Sequence, residues 1–298
     1  MPLNCNFLQQ WVILALGAAF MLATSDALTK RAVKDQDEYL VAWARLLFTL
    51  PVLAVLWFFI EIPEIDRTFM LAFFSALPLE IITVFLYIKA LKSSPLSLTL
   101  PFLSLTPLFL ILSSSLIAGE TISVFAGTGI MLIVTGGYML NISTARIGLL
   151  EPFRAITKEK GSLYMIAVAF IYSITSSLGK VAIEHSSALF FGITYFTVLV
   201  ILTAPLSLWL GRKNIKRFFL EGNYKRLFIP GIFYGLMIIF HMLSLDLTKV
   251  SYMISVKRLS LLIGVIYGHI FFKEKNFRER LIGTVLMLGG FVILVNSE

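Results

Sequence analysis

Long apolar stretches alternate with short polar interruptions along the whole chain. Each stretch is about 18 to 24 residues long, enough at about 1.5 Å per helical residue to cross a hydrocarbon layer roughly 30 Å thick. Hydrocarbon offers no partner to backbone N–H and C=O groups, so such segments must be helical. Membrane strands of about ten alternating residues would leave a different pattern. Charge clusters and Gly, Pro, Ser or Asn punctuation mark ten spans, the first five near residues 11–29, 40–60, 68–91, 95–118 and 122–141. The second five lie near 163–183, 188–210, 227–247, 251–272 and 280–296. Between the sets, Arg146, Glu151, Arg154, Lys158, Glu159 and Lys160 mark a linker at the membrane surface.

The two sets repeat one another. Glu120 meets Glu274 at a shift of 154 (274 − 120), and the same ungapped shift aligns Ser97 with Ser251, Leu105 with Leu259, Gly129 with Gly283 and Gly136 with Gly290. The glutamate and the paired glycines carry the weight, because leucine matches arise by chance in apolar sequence. Lys30 meets Lys180 at a shift of 150 (180 − 30), a looser match. Five spans is an odd number, so the second unit enters the bilayer upside down. The expected fold is an all-α integral membrane protein of ten transmembrane helices in an inverted 5+5 repeat. Its divisions are 1–141, a linker over 142–160, and 161–298, with a binding site near the midplane between the halves.

Composition agrees: 58% of the 298 residues are hydrophobic, 14% are charged, and the mean hydropathy is +0.89, well outside the soluble range. The net charge of +8 could suggest a nucleic-acid partner, but the basic residues sit in short clusters between spans, where they set topology. Lys30, Arg31, Lys34 and the basic residues within 89–92, 146–160, 212–226 and 273–280 share one side; Arg67, Lys180 and Lys249 hold the other. Taken literally, this bias puts the first group in the cytoplasm and both termini outside. The lone cysteine, Cys5, allows no internal disulfide. The first span lacks a basic leader and is too long for a signal-peptide core, so it reads as an uncleaved helix. His185, His241 and His269 show no metal-ligand spacing, no phosphate-binding glycine loop is present, and no nucleophile, base and orienter set emerges. The sequence thus points to no enzyme and calls for no cofactor. Without an ATP-binding loop, any coupling has to come from an ion gradient.

Gly119-Glu120-Thr121 with Gly127, Gly129 and Gly136-Gly137-Tyr138, and Phe271-Phe272-Lys273-Glu274 with Gly283 and Gly289-Gly290-Phe291, resemble the repeat signature of the drug/metabolite transporter superfamily, EamA-type branch. The resemblance implies a ten-helix secondary carrier or exporter in the plasma (inner) membrane, with a cavity lined by both repeats. It also implies cytoplasmic termini, opposite to the charge bias.

Ionisable groups deep in a span usually face a cavity or one another, since exposure to lipid costs several kcal/mol. Glu80 lies midway along span three, as a proton or cation carrier, a ligand for a substrate amine, or a counter-ion to a basic residue. Lys257 and Arg258 lie about four residues from the middle of span nine; adjacent cations repel, so at least one needs an anion, either Glu80 or an anionic substrate. A basic pair in the corresponding helix is also similar to phosphate-binding residues in the sugar-phosphate branch of the superfamily. A structural ion pair is the competing reading. Arg45 and Asp26 lie close enough to span ends for snorkelling, as do Lys30 and Lys180, although Arg45 is also a substrate-binding candidate and Asp26 an ion-coupling one. His241, which aligns with Tyr87 at the 154 shift, is a proton carrier or an interhelical hydrogen-bonding group. Tyr87, Tyr234, Ser104 and Ser176 are further candidates to line the path. Pro95, Pro101 and Pro107 bend span four and free carbonyls, and the resemblance makes that helix a cavity wall. Gly231 and Gly235 in span eight, and Gly129 with Gly136, read as packing devices.

These readings converge on a secondary transporter of a small polar metabolite, one bearing a carboxylate or phosphate, with H+ or Na+ as candidate coupling ion. Two alternatives stand: a flippase for a phosphate-linked lipid or lipid-linked sugar and, more remotely, an intramembrane lipid-modifying enzyme.

Overall fold

A computed structural model describes residues 5–94, 99–139, 160–272 and 281–297. The linker over 142–159, Pro95, Ser97, Glu274 and the basic cluster at 273–280 lie outside them. The first half contains α1 (Cys5–Val33), α2 (Glu38–Leu47), α3 (Leu50–Trp57), α4 (Arg67–Ser93), a 3-10 turn (Leu100–Ser104), α5 (Leu105–Ile117) and α6 (Val124–Met139). The second contains α7 (Lys160–Glu184), α8 (Ala188–Leu210), a short α9 (Ile215–Leu220), a 3-10 turn (Asn223–Leu227) and α10 (Phe228–Leu247). It ends with α11 (Val250–Lys257), α12 (Ser260–Phe272) and α13 (Leu281–Val295). Eight segments have the length and hydropathy to cross a membrane, and two shorter apolar helices, α6 and α13, supply spans five and ten.

Three of the expected spans are broken. Span two divides at Phe48-Thr49 into α2 and α3, because Pro51, in the first turn of α3, has no N–H to continue the α2 ladder. Span four opens as the 3-10 turn containing Pro101 and becomes α-helical at Leu105. Span nine breaks at Arg258-Leu259, where no proline stands. Under the 154 shift Ser104-Leu105 falls on Arg258-Leu259, so the repeat places both discontinuities at the same point (258 − 104).

Packing follows the repeat. The most extensive interfaces join α1 to α10, α4 to α7 and α6 to α13, so each crosses from one half to the other. In the first, the hydroxyl of Ser25 donates to Pro230 O and that of Ser244 to Trp11 O, both at 2.8 Å; the reversed order makes the helices antiparallel. At α6–α13 a Cβ on Gly129 would lie 2.8 Å from Gly290 O, and one on Gly136 would lie 2.6 Å from Gly283 O. Gly129 and Gly136 are the repeat mates of Gly283 and Gly290, so this antiparallel pair is two-fold symmetric. The Gly231/Gly235 pair seats α10 against the break in span two, where their added Cβ atoms would fall 2.9 Å from Arg45 O and 3.3 Å from Thr49 O. With lipid outside as apolar as the helices, such backbone contact is what holds them together.

The looser lysine match has a structural counterpart. Lys30 Nζ donates to Leu91 O and, at 2.6 Å, to Ser94 O at the end of α4; Lys180 Nζ donates at 2.9 Å to Leu245 O at the end of α10. In each half the lysine of the first span satisfies carbonyls left open at the C-terminus of the third. Both are therefore helix caps rather than the snorkelling cations expected.

Candidate functional site

Gly119 closes α5 at φ 66, a left-handed turn that lets Glu120 N return to Ser114 O at 3.2 Å. The turn sets Glu120 Oε1 2.8 Å from Val250 N, the start of α11. Glycine and glutamate of the repeat signature thus anchor the helix whose other end carries Lys257 and Arg258. Desolvation raises the Glu120 carboxyl above its ordinary range.

A cavity of about 80 Å³ lies inside the bundle, lined from the first half by Leu22, Glu80 and Tyr87 and otherwise by the second. Small against the roughly 300–1,000 Å³ of ordinary ligand pockets, it suits a compact group. Helical spacing sets Glu80 and Tyr87 of α4, Tyr172, Thr175, Ser176 and Gly179 of α7, and Tyr234 and His241 of α10 in its wall; Tyr195 of α8 and Lys257 and Arg258 at the end of α11 complete the polar lining. Glu80 and Thr175 share this wall.

Lys257 Nζ lies 2.6 Å from His241 Nδ1. With Lys257 as an ammonium, which has no acceptor, Nδ1 accepts and the imidazole hydrogen sits on Nε2. The neighbouring Arg258, 2% exposed, donates from Nη2 to Thr106 Oγ1 at 2.7 Å, while its Nε is buried without a partner. Among the described residues, neither cation forms an ion pair with a carboxylate. The neutralisation required by the sequence is thus not met by direct contact with Glu80.

Asp26 and Arg45 correct the snorkelling expectation. They are 2% and 4% exposed and pair at 2.9 Å inside the first half, with Tyr87 OH donating to Asp26 Oδ2 at 2.5 Å. The Arg45 guanidinium also sits 4.2 Å from the centre of the Tyr234 ring. Neither residue lines the main cavity. Arg45 lines a smaller one, about 20 Å³, behind it.

Of the other candidates, Glu80, Tyr87, Ser176, Tyr234, His241, Lys257 and Arg258 meet at the main cavity. Ser104 does not: it packs on Gly137, its hydroxyl 3.4 Å from Val134 O. Among the described residues span four is likewise no wall of this cavity; Thr106 accepts from Arg258, which lines it. Sequence reasoning missed Tyr172, Thr175 and Tyr195. The first two had a readable signal: Tyr172, Thr175, Ser176 and Gly179 form a stripe of polar or small residues at i, i+3, i+4 and i+7 in an apolar helix. Tyr195, its hydroxyl buried without a partner, stands in an aromatic run with no such pattern.

No curated protein matches the chain. A solved crystal structure superposes on it with a TM-score of 0.67 over 96% of both chains at 15% identity, a likeness of fold alone. The family model of EamA-like transporters matches twice, over residues 9–142 and 159–296, one match to each set of five spans. The protein is a multi-pass membrane transporter of the drug/metabolite kind, and belongs to the EamA-like transporter family.

Proposed function

We propose that the protein is a secondary carrier in the plasma membrane for a small metabolite bearing a carboxylate or phosphate, working by alternating access around the main cavity. The observation that carries this reading is the buried Lys257–Arg258 pair at the cavity wall, with no carboxylate in direct contact among the described residues. Desolvated cations without a counter-ion are costly, and an anionic ligand offsets that cost. His241 orients Lys257, and its Nε2–H is a further donor. Glu80, the one carboxylate among the described residues lining the main cavity, is the carrier's proton or cation site. The aromatic rings of Tyr172, Tyr195 and Tyr234 accommodate the rest of a ligand whose charge is held at one end.

Uptake into proteoliposomes tests the assignment. Lys257→Ala and Arg258→Ala are each expected to lower uptake at least tenfold while the variants purify as monodisperse membrane protein. Unchanged uptake by both rejects the anion-binding role. A thermal-shift screen of organic acids, sugar phosphates, amino acids and nucleosides identifies the substrate, since a ligand that binds the folded state raises its apparent stability.

A further inference from the structure

The two cavities share a wall. Tyr87, Tyr172 and Tyr234 line both the main cavity and the smaller one, whose remaining lining is Ala42, Arg45, Leu46, Val84 and Ile88. The smaller cavity lies toward the end of the bundle where α2 begins and α4 stops, the side of Lys92 and Asn214. The main cavity extends the other way, to Gly179, Phe191 and Leu245, near the opposite ends of α7, α8 and α10. A solute that crosses by way of these cavities passes the three tyrosines and meets Arg45 beyond them.

Arg45 is equipped to receive an anion. It is buried, it lines the smaller cavity, and its Nε has no hydrogen-bond partner. Asp26 occupies only one edge of the guanidinium, through Nη2, and holds a second bond, from Tyr87, that keeps it in place if Arg45 turns away. Around the two cavities three cations, Arg45, Lys257 and Arg258, face two carboxylates, Asp26 and Glu80. With all five ionised, the cluster holds one positive charge in excess, matched by one anionic group. The repeat supports the same conclusion. Asp26 aligns with Ser176 at a shift of 150 (176 − 26) and Tyr87 with His241 at 154 (241 − 87). The second-half members both line the open cavity, whereas Asp26 and Tyr87 form the packed layer. Inverted halves that exchange conformations would open the layer on the opposite side.

We propose that Arg45 is a second station for the substrate's anionic group: a carboxylate or phosphate leaving Lys257 and Arg258 passes the tyrosine partition and joins or displaces Asp26 on the guanidinium before release on the Lys92 side. This rests on the anion-carrier reading, but its test does not use the substrate. In a Cys5→Ser background, Ala42→Cys places a thiol on the smaller cavity. Its rates of reaction with an anionic and a cationic methanethiosulfonate of similar size are compared in proteoliposomes. The anionic reagent is expected to react at least tenfold faster, and Arg45→Gln to erase that preference. Asp26→Asn, which frees the guanidinium, is expected to raise the anionic rate several-fold. Equal rates, a faster cationic reagent, or no reaction above the Cys5→Ser background overturns the proposal, and these outcomes are read in the Ala42→Cys protein whether or not the further variants fold. Retained selectivity together with unchanged uptake by Lys257→Ala and Arg258→Ala would remove the first station and leave Arg45 as an anion site.

Discussion

Asp26 and Arg45 show how much a residue's meaning depends on what surrounds it. On a helical projection both sit near enough to span ends for long side chains to reach water, yet α1, α2, α4 and α10 enclose them and leave an ion pair in low dielectric. Removing one partner from such a pair strands the other, at a cost of about 3–5 kcal/mol. Arg45→Met is therefore expected to lower stability by that order in detergent unfolding, and a double variant, Asp26→Asn with Arg45→Met, to recover part of the loss. At the surface, the Asp66 carboxylate accepts from Phe69 N at 2.7 Å, capping α4, and meets His185 Nδ1 at 2.7 Å. The backbone bond foremost holds its carboxyl below the usual range against opposing desolvation, and His185 adds to the lowering. A depressed carboxyl stabilises the fold above its unfolded pKa, and the contribution fades as pH falls through the folded value. The melting-temperature gap between wild type and Asp66→Asn is thus expected to be fully open at neutral pH and to close in acid, below the ordinary carboxylate range.

At the scale of elements, the glycines divide by what they touch. A methyl on Gly136 would fall 2.6 Å from a backbone oxygen and 2.7 Å from a backbone nitrogen of α13, neither of which can move without the whole helix. Gly136→Ala is expected to cost about 1–3 kcal/mol, the range for overpacking. Gly127, two residues from Gly129 and so on the other face of the same helix, has nothing within 4 Å of its added Cβ. Gly127→Ala is expected to change stability by less than about 0.5 kcal/mol, as for an unremarkable surface site. Parallel unfolding curves of the two variants check both. The spacing of seven that identified the repeat in the sequence is thus a packing requirement at both of its positions. Pro101 and Pro107 foreshadowed the break in span four; Pro51 carried the same signal in span two, which was expected to run unbroken. The break at Arg258-Leu259 was visible only through its repeat mate.

At the scale of the molecule, every major interface crosses between halves, so motion of one half against the other cannot leave the ends untouched. On the Lys92 side Asn214 Nδ2 donates to Asp37 Oδ2 at 2.9 Å; on the other, His185 faces Asp66. Each contact ties a connection of the first half to one of the second. Alternating access requires the two to loosen in turn. A short bifunctional thiol cross-link between Asp37→Cys and Asn214→Cys, in the Cys5→Ser background, is expected to cut uptake at least tenfold and reductant-cleavable linkers to restore it. Undiminished uptake with the link in place would mean that this end does not open.

The sequence by itself determined what is local or periodic: the spans, their number, the repeat and the membrane as solvent, because span length, hydropathy and glycine spacing are written along one dimension. It also singled out Glu80, Lys257 and Arg258, since a charge deep in an apolar run is conspicuous without any neighbour. Which charges meet was decided only by the tertiary structure. Lys257 finds His241, Arg258 finds Thr106, Arg45 finds Asp26, and Ser104 turns to Gly137, each across helices whose rotation no linear pattern encodes. Span length settles that a helix crosses the membrane; the face it turns inward, and so whether a polar group meets a cavity, an ion or another backbone, is settled by close contact between helices packed in three dimensions.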